Sequence, residues 1–225
     1  MKFQIHSDIH LEKYPNRRIK AYCPNLILAG DIGVPIFSSY KRFFQETSKN
    51  FDRIFYVLGN HEYERCWMGI DKKNLQLMHQ KFQERKNLMI DILSEFKNIN
   101  LLDNKTLTVE KKTIHGTTLW TNFHQRKSQT PLTSPQLFLS GQHLLAVETY
   151  PVFTPNVLIT HYVSNKYALK KPWSIGLGPK EIFHSEISIF GHIHYPIFTT
   201  YEGQKIICNP WGESAENDPQ FVNLD

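Results

Sequence analysis

The chain has 225 residues, 40% of them hydrophobic, with 26 basic and 21 acidic side chains for a formal charge of +5. That length buries one substantial core and is short for two, so residues 1–225 read as a single domain. No apolar run approaches the roughly 20 residues that cross a bilayer, and residues 1–10 lack a signal-peptide core, so neither membrane insertion nor export by that route is expected.

In chain order, short apolar runs end at polar residues. A strand over 2–5 leads into Ser7-Asp8-Ile9-His10, and a second over 26–29 into Gly30-Asp31. A helix over 38–49 precedes a strand over 54–58 that ends at Gly59-Asn60-His61-Glu62. A longer helix follows over 71–97, with a break near Asn87. From 99 to 120 the pattern changes to closely spaced strands, turning at Asn104-Lys105. A helix over 136–148 separates these from a strand over 157–159 that runs into Thr160-His161. A short helix is expected from Pro179, then a strand over 187–190 into Gly191-His192-Ile193-His194, then a strand pair over 195–208 around Glu202-Gly203. The mixture predicts an α/β fold of two packed sheets flanked by helices, with the polar clusters converging at the carboxyl ends of the strands.

Each cluster alone has an ordinary explanation. Asp8-x-His10 sets a carboxylate and an imidazole on one side of a strand end, yet short matches of this kind arise by chance. Asp31, between Gly30 and Gly33, can bridge two cations or be a plain loop aspartate. Asn60 supplies a neutral oxygen, and His61 can face a substrate as proton donor or charged hydrogen-bond donor. His161 alone reads equally as a buried, hydrogen-bonded histidine. His192-x-His194 suits borderline metals such as zinc, manganese or iron. Taken together, the ordinary explanation would have to hold independently at every strand end, so a metal site is expected.

The series D-x-H, G-D, G-N-H-E, a lone His after a strand, and G-H-x-H resembles the calcineurin-like metallophosphoesterase superfamily over residues 8–194. Ser7-Asp8-Ile9-His10-Leu11-Glu12, Thr118-Leu119-Trp120-Thr121 and Cys208-Asn209-Pro210 look like a compact bacterial-type group of phosphohydrolases within it. The resemblance implies a four-layer α/β/β/α sandwich of two mixed sheets flanked by helices. It implies two divalent or trivalent metal ions (manganese, iron or zinc), one held by Asp8, His10, Asp31 and His194. The other would be held by Asp31, Asn60, His161 and His192, so that Asp31 bridges and is itself catalytic. It further implies that a water or hydroxide between the metals attacks phosphorus in line while His61 assists the leaving group. The chain departs from the calcineurin branch proper, which continues its second motif with Asp-Arg-Gly, whereas here Gly30-Asp31-Ile32-Gly33 stands. Tyr162 follows His161 where a second histidine is common, and Trp211-Gly212-Glu213 follows Asn209-Pro210.

The expected activity is hydrolysis of phosphomonoesters or phosphodiesters, with nucleotide or cyclic-nucleotide cleavage as an alternative substrate class. A non-catalytic scaffold on the same fold is the alternative from another class, and nucleic acid is a disfavoured partner despite the basic charge. Residues 162–179, with Lys166, Lys170, Lys171, Tyr167 and Trp173 and nearby Lys180, could hold a phosphate and stack a base, or be a solvated loop. Arg17, Arg18 and Lys20 form a second basic group able to approach the same edge. Cys23, Cys66 and Cys208 are odd in number and without a C-x-x-C pair, which fits a reducing, cytoplasmic setting.

Overall fold

A computed structural model describes residues 1–71, 73–121, 133–164, 183–213 and 218–224. β1 (Lys2–His6), β2 (Asn25–Ala29), β3 (Arg53–Val57) and β4 (Ile99–Leu101) lie side by side in parallel. β11 (Gln220–Asn223) closes this five-stranded sheet antiparallel to β1. The second sheet has six strands. β6 (Lys112–Thr117), β7 (Val157–Thr160), β8 (Ile187–Phe190) and β10 (Gln204–Cys208) run parallel at its centre. β5 (Lys105–Val109) and β9 (Ile197–Tyr201) flank them as antiparallel edges.

The central strands are near-continuous Ile, Leu, Val and Phe because both of their faces are buried. Alternate residues of each strand then serve different layers. Phe3, Ile5, Ile27, Phe55 and Val57 of the first sheet meet Ile114, Val157, Ile159, Ile189 and Ile207 of the second. On its other face the first sheet presents Leu26, Leu28, Ile54 and Tyr56 to α1 (Ser38–Thr47) and α2 (Leu75–Ser94), through Phe43, Phe44, Phe82 and Met89. α3 (Ser134–Glu148) sets Ala146 against Leu158 on the outer face of the second sheet. The result is the expected α/β/β/α arrangement. Among the described residues no helix is long and apolar enough to cross a membrane.

Several details differ from the sequence expectation. α2 runs unbroken through Asn87, because that residue is exposed while Phe82, Met89, Ile92 and Leu93 anchor the buried stripe. Asn104, in the left-handed region at φ 52°, does not close a hairpin: it carries the chain from β4 in one sheet to β5 in the other. The hairpin turn is instead Glu110-Lys111, both left-handed at φ 49° and 68°, a conformation with no glycine or asparagine to announce it. The turn at Glu202-Gly203 stands as expected. The helix expected from Pro179 lies outside the described residues.

Candidate metal centre

The loops after β1, β2, β3, β7 and β8 carry Asp8 and His10, Asp31, Asn60 and His61, His161, and His192 and His194 to one edge shared by the two sheets. Backbone hydrogen bonds join neighbouring loops within each sheet: Asp8 N to Gly30 O at 3.0 Å and His10 N to Asp31 O at 3.1 Å in the first, and Gly191 N to His161 O at 3.1 Å in the second. Trp211 N donates to Ser7 O at 2.9 Å and Gly212 N to Asp8 O at 3.1 Å, so the segment after Asn209-Pro210 braces the first loop. The backbone is strained where the candidate ligands stand. Asp8, His10, Asp31, His192 and His194 all have left-handed φ, between 50° and 70°. Each such turn costs roughly 1–2 kcal/mol, and concentrations of that strain mark sites where side-chain aim matters more than local stability.

Two groups of potential ligand atoms result, each within 4.8 Å: Asp8, His10 and His194, and Asp31, His161 and His192. Asp31 also falls within 4.8 Å of His10 and His61, so one carboxylate stands between the two groups. In the first, His10 Nδ1 faces the Glu12 carboxylate at 2.9 Å and therefore carries the proton, which leaves Nε2 with its lone pair towards His194 Nε2 at 3.0 Å. His194 Nε2 is in turn 3.3 Å from Asp8 Oδ1. Asp8 is fixed by the His192 backbone N–H, which donates to Oδ1 at 3.0 Å and to Oδ2 at 3.1 Å.

The second group repeats the logic. His161 Nδ1 donates to the Ala29 carbonyl at 2.9 Å, so Nε2 aims its lone pair at Asn60 Oδ1, 3.1 Å away, and Asp31 Oδ2, 3.2 Å away. A lone pair aimed at two oxygens is repulsive unless a proton or a cation lies between them. Burial disfavours the charged His161 ring, but the Asp31 carboxylate outweighs it and raises the pKa to about 9. The same contact, against the burial penalty, holds Asp31 well below the usual carboxylate range. Burial, helped by the positive charge of His161, lowers His192 to about 4. The arrangement fits a cation, and nitrogen and oxygen donors of this kind suit manganese, iron or zinc.

Close approach of backbone to ligand requires three glycines, Gly30, Gly59 and Gly191, the last because a Cβ there would meet Asp8 Oδ2 at 2.8 Å. A Cβ on Gly59 would collide with Asp31 Oδ1 and its backbone nitrogen, and one on Gly30, at φ 84°, would collide with the His161 ring.

His61 stands beside the ligands. Its backbone N–H donates to Asp31 Oδ1 at 2.8 Å, and its Nε2 lies 4.0 Å from Asp31 Oδ2. Its Nδ1 is held by Glu12 Oε1 at 3.0 Å and Glu64 Oε2 at 3.1 Å. Burial alone would lower the His61 pKa. The hydrogen bond to Glu12 and the charge of Asp31 win and raise it to about 9, which keeps the ring protonated at neutral pH.

Three carboxylates have no part assigned from sequence: Glu64, which holds His61, and Glu12 and Glu62. Glu12, its side chain 8% exposed, uses a single oxygen for both His10 and His61, and despite burial these bonds bring its pKa down to about 2. Its Oε2 is buried without a hydrogen-bond partner. The signal was present in Asp8-x-His10-x-Glu12, but the carboxylate's two histidines come from separate loops, which spacing does not reveal. Glu62 is fully buried and accepts from the N–H groups of Gly59 at 2.7 Å, Asp31 at 3.1 Å and Ile32 at 2.7 Å, and from Tyr56 Oη at 2.6 Å. It locks the β2 and β3 loops together.

The basic group after β1 has a different part from the one envisaged. Arg17 is buried and donates to the carbonyls of Ile9, at 2.7 Å, and Gly212, at 2.9 Å, while Arg18 pairs with Glu46. These side chains clamp loops and helix α1 rather than face the ligands. Lys166, Tyr167, Lys170, Lys171, Trp173 and Lys180 lie outside the described residues.

A two-sheet sandwich with histidines, carboxylates and an asparagine gathered at its shared edge is the architecture of a metallophosphoesterase. The family model for calcineurin-like phosphoesterases matches residues 1–196, and the chain belongs to that family. It is 28% identical over 251 residues to the uncharacterized protein L509 of Acanthamoeba polyphaga mimivirus, a match covering 89% of this chain and 84% of that protein. Among solved structures it is similar to the phosphopantetheinyl hydrolase of Mycobacterium tuberculosis, with a TM-score of 0.69 at 15% identity over 100% of this chain and 96% of that one. At that identity the likeness is one of fold.

Proposed function

We propose that the chain is a phosphoester hydrolase working with two metal ions, one on Asp8, His10, Asp31 and His194 and one on Asp31, Asn60, His161 and His192. The observation that carries the reading is the position of Asp31, within ligand distance of both groups and in contact with the backbone of His61. When bound, such ions activate water and neutralise charge on phosphoryl oxygens. The chain's own residues do the rest. Glu12 and Glu64 hold His61 protonated with Nε2 turned towards Asp31, where it can give a proton to a departing ester oxygen. Glu12 and the Ala29 carbonyl hold Nδ1 of His10 and His161 so that each ring turns Nε2 towards the site, where a cation would take the place of any proton. The substrate is a phosphomonoester or phosphodiester. We read the chain as one domain acting in the cytoplasm, a setting supported by the free thiols of Cys23, Cys66 and Cys208.

The test is hydrolysis of a chromogenic aryl phosphomonoester and the matching diester by manganese-loaded protein. Turnover of either supports the proposal and gives the substrate class. Turnover of neither, across manganese, iron and zinc, sinks it and leaves a non-catalytic member of the family.

A further inference from the structure

The candidate ligands account for the phosphoryl end of a substrate and not for its organic part. Beside them opens a cleft of about 370 Å³, a size within the usual range for small-molecule sites. Its walls are Tyr63, Trp67, Met68, Trp120, Leu139 and Tyr162, with Arg65 also on its lining, and it reaches the ligand Asn60 and the His61 partner Glu64. A larger cavity of about 510 Å³, between Phe183 and Gln204, is lined by none of the candidate ligands.

We propose that this cleft binds the organic part of the substrate, and that this part is a planar aromatic group. The inference rests on the phosphoesterase reading and extends it. Position is the first support. Sharing Asn60 makes the cleft continuous with the phosphoryl site, and Glu64 puts it on the side of His61, where the departing oxygen must lie.

The walls are the second support. Two of their polar tips are engaged: the Trp67 indole N–H donates to Met78 O at 3.0 Å, and the Tyr162 hydroxyl bonds Thr121. Most of the cleft wall is ring and aliphatic carbon, against which an apolar group loses no hydrogen bonds to water. The rings are also fixed in place from behind. Tyr63 stacks on Phe82 at 4.0 Å, Trp120 meets Tyr63 edge-on at 5.5 Å, and Trp67 meets Phe138 edge-on at 5.7 Å. Rigid flat walls favour a flat guest, because ring–ring contacts add attraction beyond the area buried. At the rim Met68 is 72% exposed, an adaptable apolar side chain placed where a bound ring would cover it.

The experiment is calorimetric titration of manganese-loaded protein with 2-naphthylmethylphosphonate and with methylphosphonate, for wild type, Met68→Glu and the control Phe198→Glu on β9. Both positions are exposed, and unchanged urea midpoints would establish that the variants are folded. The naphthyl ligand is expected to bind at least about tenfold more tightly than methylphosphonate to wild type and to the control. Most of that advantage should vanish in Met68→Glu. Equal affinities in wild type, or an advantage unchanged in Met68→Glu, would overturn the proposal. Turnover of 2-naphthyl and phenyl phosphate separates the two claims. Turnover without a preference for the naphthyl ligand in binding removes the cleft assignment alone, and preferential binding without any turnover keeps the cleft and removes the phosphoesterase reading.

Discussion

Asp31 and His61 touch, yet their parts separate cleanly by experiment. Asp31→Asn removes the charge shared by both ligand groups, so both metals should be lost together with activity. His61→Gln leaves every proposed ligand in place. Metal content should stay at the wild-type level while turnover falls by about 10²-fold or more, most steeply for esters with poor leaving groups. Elemental analysis beside leaving-group kinetics checks both statements, and equal metal loss in the two variants would contradict the division. Glu12→Gln is the third case. It weakens the hold on His10 and His61 at once, so metal affinity should drop about 10- to 100-fold and the rate should fall even at saturating metal. A rate restored fully by excess metal would mean that Glu12 serves the ligand alone.

The ends of β2 and β3 depend on Glu62. Glu62→Ala would leave the buried N–H groups of Gly59, Asp31 and Ile32 without an acceptor, at a cost of about 3 kcal/mol or more. Urea denaturation measures it, and a loss below about 1 kcal/mol would show that these donors find other partners. On β6, His115 is buried, and that burial lowers its pKa to about 4. The folded state therefore keeps it neutral while the unfolded chain takes up a proton below about pH 6.5, the ordinary histidine value. Its contribution is complete above that pH and is lost as the pH falls towards 4, by up to about 3 kcal/mol. In metal-free protein, stability should fall less over that window for His115→Asn than for wild type, and parallel curves would refute the assignment. Strands were legible wherever both faces are buried, since β1, β2, β3, β7 and β8 are apolar runs ending at polar clusters. Asn104 misled because a left-handed asparagine serves a crossing between sheets as readily as a hairpin. β11 went unseen because Gln220–Asn223 is an edge strand with one buried side chain, Val222.

At the scale of the molecule the two sheets meet over an apolar interface and again at the candidate site, where loops from both are linked by hydrogen bonds. Cations bound at that seam would stabilise the fold by mass action. Chelation should lower the melting temperature by about 10 °C, with recovery on adding manganese. An unchanged melting temperature would place the metals outside the stabilising seam. The proposed ligands were legible in sequence because each lies within four residues of the end of a buried strand. Glu12 and the aromatic cleft were not, because they arise from contacts among the β1, β3, β6 and β7 loops and α3 that no local spacing encodes. The measurement closest to the central claim is metal stoichiometry together with manganese-stimulated phosphoester turnover, for wild type and Asp31→Asn side by side. Two metals per chain and turnover in wild type, both lost in the variant, are the expected result; metal bound without turnover, or turnover that survives in Asp31→Asn, would contradict it.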